Sequence, residues 1–215
     1  AWTYPSVTGQ TVKEQWGGYR VMLSAYRVLD VTDQRGHLAG LMLSMLGAEV
    51  IKIEPPAGVI TRAIGPFDDS GNSLTHLAYD RGKKSVVLDL QSPEGRSILL
   101  DLAEGADCLI ESQGAGALEE LGLGSQSLLD RNPALVVGTL TAFGHTGPKA
   151  HWPATDLTLM AAACTMAFTG DADRSPLRVS VPQAFHFGAA VLAGGVVAAL
   201  FERGRSGLGQ VVDVA

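Results

Sequence analysis

Short apolar runs alternate with glycine-punctuated helical segments, and this alternation constrains the fold more than any other feature of the chain. Tyr26-Arg-Val-Leu-Asp-Val31 reads as a strand, and a helical pattern follows from about His37 to Leu46. Gly47 closes that helix before a second run, Ala48-Glu-Val-Ile-Lys-Ile53. A strand, a helix and a strand joined by short connections form a βαβ unit, the grammar of a parallel sheet. A loop-rich stretch from Pro55 to Lys84 separates it from the strand-like Ser85-Val-Val-Leu-Asp-Leu90. Ser92-Pro93 then opens a helix running to about Ala103, with Pro at its first position. Ala106-Asp-Cys-Leu-Ile110 and Ala134-Leu-Val-Val-Gly-Thr-Leu140 are further strands, the second preceded by a short helix that Asn132-Pro133 stops. The succession predicts a doubly wound α/β layer, a Rossmann-like parallel sheet flanked by helices.

The two ends and the last third read differently. Residues 1–25 are expected to be an N-terminal arm or linker, and residues 26–215 the folded domain. The chain begins at Ala1 and stops within the strand-like Val211-Val-Asp-Val-Ala215, which reads as a piece of a longer, unfinished fold. Asp156 to Phe168 is rich in Ala and Met and reads as helical. Ala184 to Phe201 is 18 positions without a formal charge, long enough to be weighed as a membrane span. Its glycines and alanines make it only mildly hydrophobic and suit a closely packed core helix, so no membrane span is expected.

Composition removes whole classes of function. Of 215 residues, 46% are apolar and 18% charged, which suits a packed core and not a disordered chain. A net charge of −6 with no Lys/Arg run argues against a nucleic-acid partner or a polybasic membrane surface. Two cysteines, Cys108 and Cys164, cannot build a disulfide framework, and a reducing, cytoplasmic setting is expected. His37, His76, His145, His151 and His186 fall in separate segments with no H-E-x-x-H or C-x-x-C, so no metal site is expected. No G-x-G-x-x-G or G-x-x-x-x-G-K-[ST] motif is present, which leaves a nucleotide-dependent oxidoreductase resting on fold grammar alone. The basic loop Arg81-Gly82-Lys83-Lys84 precedes a strand, where it can serve either as a phosphate-holding loop or as a solvated turn.

Several phrases, taken in order, resemble one family. They are Val28-Leu-Asp-Val-Thr32, Leu46-Gly-Ala-Glu-Val-Ile-Lys-Ile-Glu54 and Arg81-Gly-Lys-Lys-Ser-Val-Val-Leu-Asp-Leu90. Ala106-Asp-Cys-Leu-Ile-Glu111, Leu121-Gly-Leu-Gly124, Phe143-Gly-His-Thr-Gly-Pro148 and Gly207-Leu-Gly-Gln-Val-Val-Asp213 follow. Together they are similar to the family III CoA-transferases, the CaiB/BaiF group, over about Tyr26 to Ala215. The resemblance implies the large domain of that fold, incomplete without a C-terminal return, and dimers of interlocked rings. It implies acyl-CoA and carboxylate substrates, with coenzyme A as substrate and no covalently bound cofactor. It also implies an aspartate nucleophile that passes through mixed-anhydride and aspartyl-CoA thioester intermediates.

The departures from the pattern are as informative. The family aspartate stands in a V-P-x-x-D or V-G-D stretch; here that stretch is Val179-Ser-Val-Pro-Gln-Ala-Phe-His-Phe-Gly188, which puts Ala184 or Phe185 at its position. The family E-N-F-x-P-G loop is Glu111-Ser-Gln-Gly-Ala-Gly116, and Glu120 and Pro55 stand where CoA-binding arginines are expected. Thr155 replaces the histidine of the racemase branch. Gln34, Arg62, Lys83, Ser112 and Gln113 remain as the expected CoA contacts, and no catalytic residue is assigned. The reading is a degenerate copy within a longer, tandem-copy CoA-transferase or CoA-lyase. The alternatives are a non-catalytic scaffold or CoA-binding module, and a site that persists with His186 or Asp156 as general base.

Overall fold

The structure, a computed structural model, describes residues 22–215. Most of the expected arm, 1–25, lies outside the described residues.

Six parallel strands form one sheet: β1 (Arg27–Val31), β2 (Glu49–Glu54), β3 (Lys84–Val87), β4 (Cys108–Glu111), β5 (Val136–Leu140) and β6 (Val211–Val214), in the order β3-β2-β1-β4-β5-β6. Val28 pairs with Val50 on one side and Cys108 on the other, which places β1 at the centre. Alternate strand residues face opposite layers, as the period of two requires. Val28, Val50, Cys108, Ile110 and Val136 pack under α1 (His37–Met45) and the long C-terminal helix. Leu29, Ile53, Leu109 and Val137 face the other layer. That layer contains α3 (Pro93–Glu104), α4 (Ala117–Glu120) and α5 (Ser125–Arg131). The Ser92 hydroxyl caps α3 by accepting from the Gly95 N–H at 3.0 Å.

The loop-rich stretch after β2 contains more order than its sequence suggests: a 3-10 turn at Ile60–Ala63 and α2 (Leu74–Tyr79), capped by the Ser73 hydroxyl. Both are too short to show a hydrophobic period. The expected helix over 156–168 is two pieces, α6 (Asp156–Ala162) and a 3-10 turn at Thr165–Phe168. Cys164, with φ of 58°, breaks it between them.

The last helix, α7 (Gln183–Ser206), is among the described residues the one helix long and apolar enough to cross a membrane. It packs against α1, β5 and β6, with Ala189, Leu192, Val196 and Leu200 buried. Close approach depends on glycine: a Cβ on Gly138 of β5 would stand 2.9 Å from Leu192 Cδ1 and 3.0 Å from Val196 Cγ2. At its C-terminal end Arg203 donates to Asp107 Oδ1 at 2.7 Å and to the Ala134 carbonyl at 3.1 Å, fastening the helix to the sheet.

Candidate active site

The strand order reverses between β1 and β4, and a crevice at the carboxyl ends of the strands is expected there. The loops leaving these two strands are bonded to each other. The Ser112 hydroxyl accepts from the Asp33 N–H and donates to Asp33 Oδ1, both at 2.9 Å. Gln113 Nε2 donates to the Val31 carbonyl at 2.7 Å. Arg35 forks onto the Asp33 carboxylate, Nη2 to Oδ2 at 2.6 Å. Behind this seam Glu111 is buried and accepts from the Gln113 N–H at 2.6 Å. Burial pushes its carboxyl up to about 7; that hydrogen bond opposes the shift and the nearby Glu119 adds to it.

A cavity of about 820 Å³ opens on the β4–β5–β6 side of the seam. Its walls are mainly apolar, with Phe143, Trp152, Leu159 and Val191 among them, and Ala184 and Phe185 of the first turn of α7 stand in the wall. Among the described residues no Asp or Glu side chain lines it. Asp156, the nearest acid in the sequence argument, begins α6 with its Oδ1 accepting from the Phe185 N–H at 3.2 Å. His186 does not line the cavity either; its ring leans on Tyr79 with centroids 5.2 Å apart. Burial lowers its pKa, with Asp156 opposing the shift.

A second cavity of about 630 Å³ lies on the β1–β2–β3 side. Asp33, Asp89, Glu120, Pro55 and Gln113 line it, and among the described residues no Lys or Arg does. Its chemistry is therefore poorly matched to phosphate groups, which need cations or converging N–H donors.

The expected CoA contacts divide into two groups. Gln34, Ser112 and Gln113 gather at the seam between the two cavities. Gln34 Oε1 is buried without a partner among the described residues, while Ser112 and Gln113 are engaged with the β1 loop. Arg62 and Lys83 lie elsewhere and are committed to other groups. Arg62 forks onto Glu54 with both contacts at 2.7 Å. The Arg62 hydrogen bonds hold the Glu54 carboxyl down to about 2, against burial. The Lys83 side chain is 1% exposed, and its ammonium contacts Asp80 Oδ1 at 2.7 Å, Asp30 Oδ2 at 2.9 Å and the His37 carbonyl at 3.0 Å. Two carboxylates already match its charge, so the basic loop offers a phosphate no uncompensated ammonium from Lys83.

That ion network is a feature the sequence did not disclose. Asp30 of β1 accepts from Lys52 at 3.0 Å and from the Thr32 hydroxyl at 2.6 Å, and Lys52 also donates to the Thr32 carbonyl. Although burial opposes it, the two ammonium groups hold the Asp30 carboxyl well below the ordinary carboxylate range. Gly40 of α1 leaves room for this pair, since a Cβ there would meet Asp30 Oδ2 at 2.1 Å. Above it the buried His37 ring stacks on Tyr79 at 4.2 Å, and burial pushes its imidazole down to about 4, with Asp80 opposing the shift. Charged residues inside otherwise apolar strands, Asp30 in Val-Leu-Asp-Val and Lys52 in Val-Ile-Lys-Ile, were the available signal.

Strand order, crevice and helical layers define a Rossmann-like α/β domain of the type that binds ligands at a topological switch point. Within that class, the family model for CoA-transferase family III matches residues 23–215, and the chain belongs to that family. It is 39% identical over 196 residues to the succinyl-CoA:(R)-benzylsuccinate CoA-transferase subunit BbsE of Thauera aromatica, covering 89% of this chain and 48% of that protein. It superposes on the crystal structure of a CaiB/BaiF family protein from Brucella suis with a TM-score of 0.85 at 35% identity, covering 89% of this chain and 52% of that one. The corresponding TM-score for Rv3272 of Mycobacterium tuberculosis is 0.82 at 39% identity, over 90% of this chain and 54% of that one. The chain thus spans about half the length of the relatives it matches.

Proposed function

We propose that this chain is the large-domain part of a CoA-transferase acting on acyl-CoA thioesters and carboxylates, whose reacting carboxylate belongs to a sister copy. One observation supports the reading: Ala184 and Phe185, one of which the motif pattern puts at the family's aspartate position, stand in the wall of the larger cavity, and among the described residues no carboxylate side chain lines it. In the reaction the family resemblance implies, a carboxylate attacks the thioester carbonyl and CoA leaves as thiolate, giving a mixed anhydride. The thiolate then attacks the enzyme-side carbonyl, the anhydride C–O bond breaks, the donor carboxylate leaves, and an enzyme CoA thioester remains. Neither a methyl nor a phenyl group can take the first step. This chain's residues instead shape and dry the acyl side of the site, with the Asp33–Ser112 seam holding the β1 and β4 loops together. Pairing with a second copy or a sister domain is part of the reading, supported by the Thauera relative being, by its name, one subunit of its enzyme. A reducing, cytoplasmic setting also belongs to it, supported by two free cysteines.

The test is intact-mass and peptide mass spectrometry of the full-length protein with its sister copy after incubation with succinyl-CoA. Acyl or CoA adducts are expected on the sister's carboxylate and not on residues 22–215. An adduct on Asp156 or Glu111 overturns the reading.

A second reading, a scaffold that has given up CoA itself, is favoured by the acid-lined cavity around Glu120 and Pro55. Calorimetry with CoA separates the two: micromolar binding by this domain removes the scaffold.

A further inference from the structure

The larger cavity has a composition that selects a ligand. Phe143 and Trp152 meet edge to face in its wall with centroids 6.2 Å apart, and Phe185, Leu159 and Val191 complete an apolar surround. Its two cations are not equivalent. Arg35 is neutralised by the Asp33 carboxylate, Nη2 to Oδ2 at 2.6 Å. Lys149 has no carboxylate partner among the described residues and rests its ammonium 5.3 Å from the Trp152 ring centroid. The pocket therefore offers one uncompensated positive charge beside an aromatic corner. Among the described residues no Asp or Glu side chain lines the wall to oppose an anion there.

We propose that this cavity is a noncovalent site for an aryl-substituted carboxylic acid, the ring against Phe143, Trp152 and Phe185 and the carboxylate on Lys149. A volume of about 820 Å³ is far more than a two- to four-carbon acid fills, and such an acid would leave the aromatic wall wet. Burying a phenyl ring supplies the binding free energy, and the Lys149 ammonium supplies orientation. Phe185 adds ring surface to the wall. The inference deepens the function proposed above by assigning the substrate class of the same site, and it rests on that reading for calling the cavity the acyl side.

Trp152 sits in the wall and reports occupancy by its fluorescence. The experiment titrates the full-length protein with 3-phenylpropanoate, 3-phenylpropanamide, acetate and succinate, and in parallel with CoA by calorimetry. Saturable quenching by 3-phenylpropanoate is expected, absent in Trp152→Phe, with affinity at least about tenfold above that for acetate or succinate. Lys149→Gln, at an exposed position, is expected to weaken the acid about fivefold and leave the amide unchanged, while Lys149→Arg retains the acid. Succinate binding as tightly as 3-phenylpropanoate, or Lys149→Gln weakening acid and amide alike, overturns the inference. No saturable binding of the aryl acid while CoA still binds overturns this inference and leaves the proposed function standing. Aryl-acid binding without CoA binding supports the site and counts against the CoA role.

Discussion

The Phe185 backbone N–H donates to Asp156 Oδ1 at 3.2 Å, tying the first turn of α7 to the start of α6. Asp156 is thereby a structural acceptor. It is mostly buried and also lies at the positive end of its own helix. Asp156→Ala should lower unfolding stability by about 1–2 kcal/mol in urea, while Asp156→Asn, which keeps the acceptor, should lose less. Neither should change CoA binding; a loss of binding with stability intact would give Asp156 a chemical role instead.

The acid-lined cavity predicts a gain of affinity by charge reversal. Glu120→Arg and Pro55→Arg each place a cation where the wall now has an acid or no charge. Each should tighten CoA binding about tenfold in calorimetry at low salt, with the gain shrinking as salt rises. Dephospho-CoA gaining as much as CoA would show that the 3′-phosphate is not what the new cations meet.

Glu111 should impose a pH slope on stability. Its carboxyl is raised from 4.5 to about 7 in the folded protein, so between those values the folded state holds a proton that the unfolded chain has lost. Stability therefore falls as pH rises from about 4.5 to about 7, by roughly 3 kcal/mol when the whole shift is expressed. Glu111→Gln keeps an acceptor for the Gln113 N–H and should flatten that slope in chemical denaturation. A slope unchanged in the variant would place its origin in another group.

The buried ion network should be intolerant of single removals. Lys52→Met strips Asp30 of one of its two cations in a site where the lysine side chain is 2% exposed and the aspartate fully buried. The expected loss is about 3–5 kcal/mol. Gly40→Ala should also destabilise strongly, since its methyl would stand 2.1 Å from Asp30 Oδ2. A near-wild-type melting temperature in either variant would mean that the network rearranges freely.

Arg62 and Glu54 provide the opposite pH sign. Held down to about 2, Glu54 contributes stability above the ordinary carboxylate value that is lost as pH falls toward 2. Arg62→Ala should lower stability at neutral pH and above, modestly because the guanidinium is half exposed, and the difference from the parent protein should vanish as pH falls toward 2.

What was legible in the sequence was whatever depends on local period and turn chemistry. The β1–α1–β2 unit, the Ser92-Pro93 start of α3 and the small-residue helix α7 are all present within a few residues of their expected limits. The motif reading that puts Ala184 or Phe185 at the family's aspartate position rests on the sequence alone. The short α2 escaped because six residues carry too little periodicity to register. Lys83 in Arg-Gly-Lys-Lys read as a phosphate contact because a sequence shows a charge and not its partners.

The sequence by itself determined the parallel α/β layering and the family, because strand period, helix punctuation and motif identity are properties of neighbours in the chain. Only the tertiary structure decided where the charges end. Asp30 and Asp80, 50 positions apart in number, close on Lys83, and Asp33 closes on Arg35 and Ser112. It likewise decided that one cavity is lined by acids and the other by rings with one free ammonium among the described residues. Ion pairs and cavity walls are assembled from residues distant in sequence, and their energies depend on burial that no local pattern encodes.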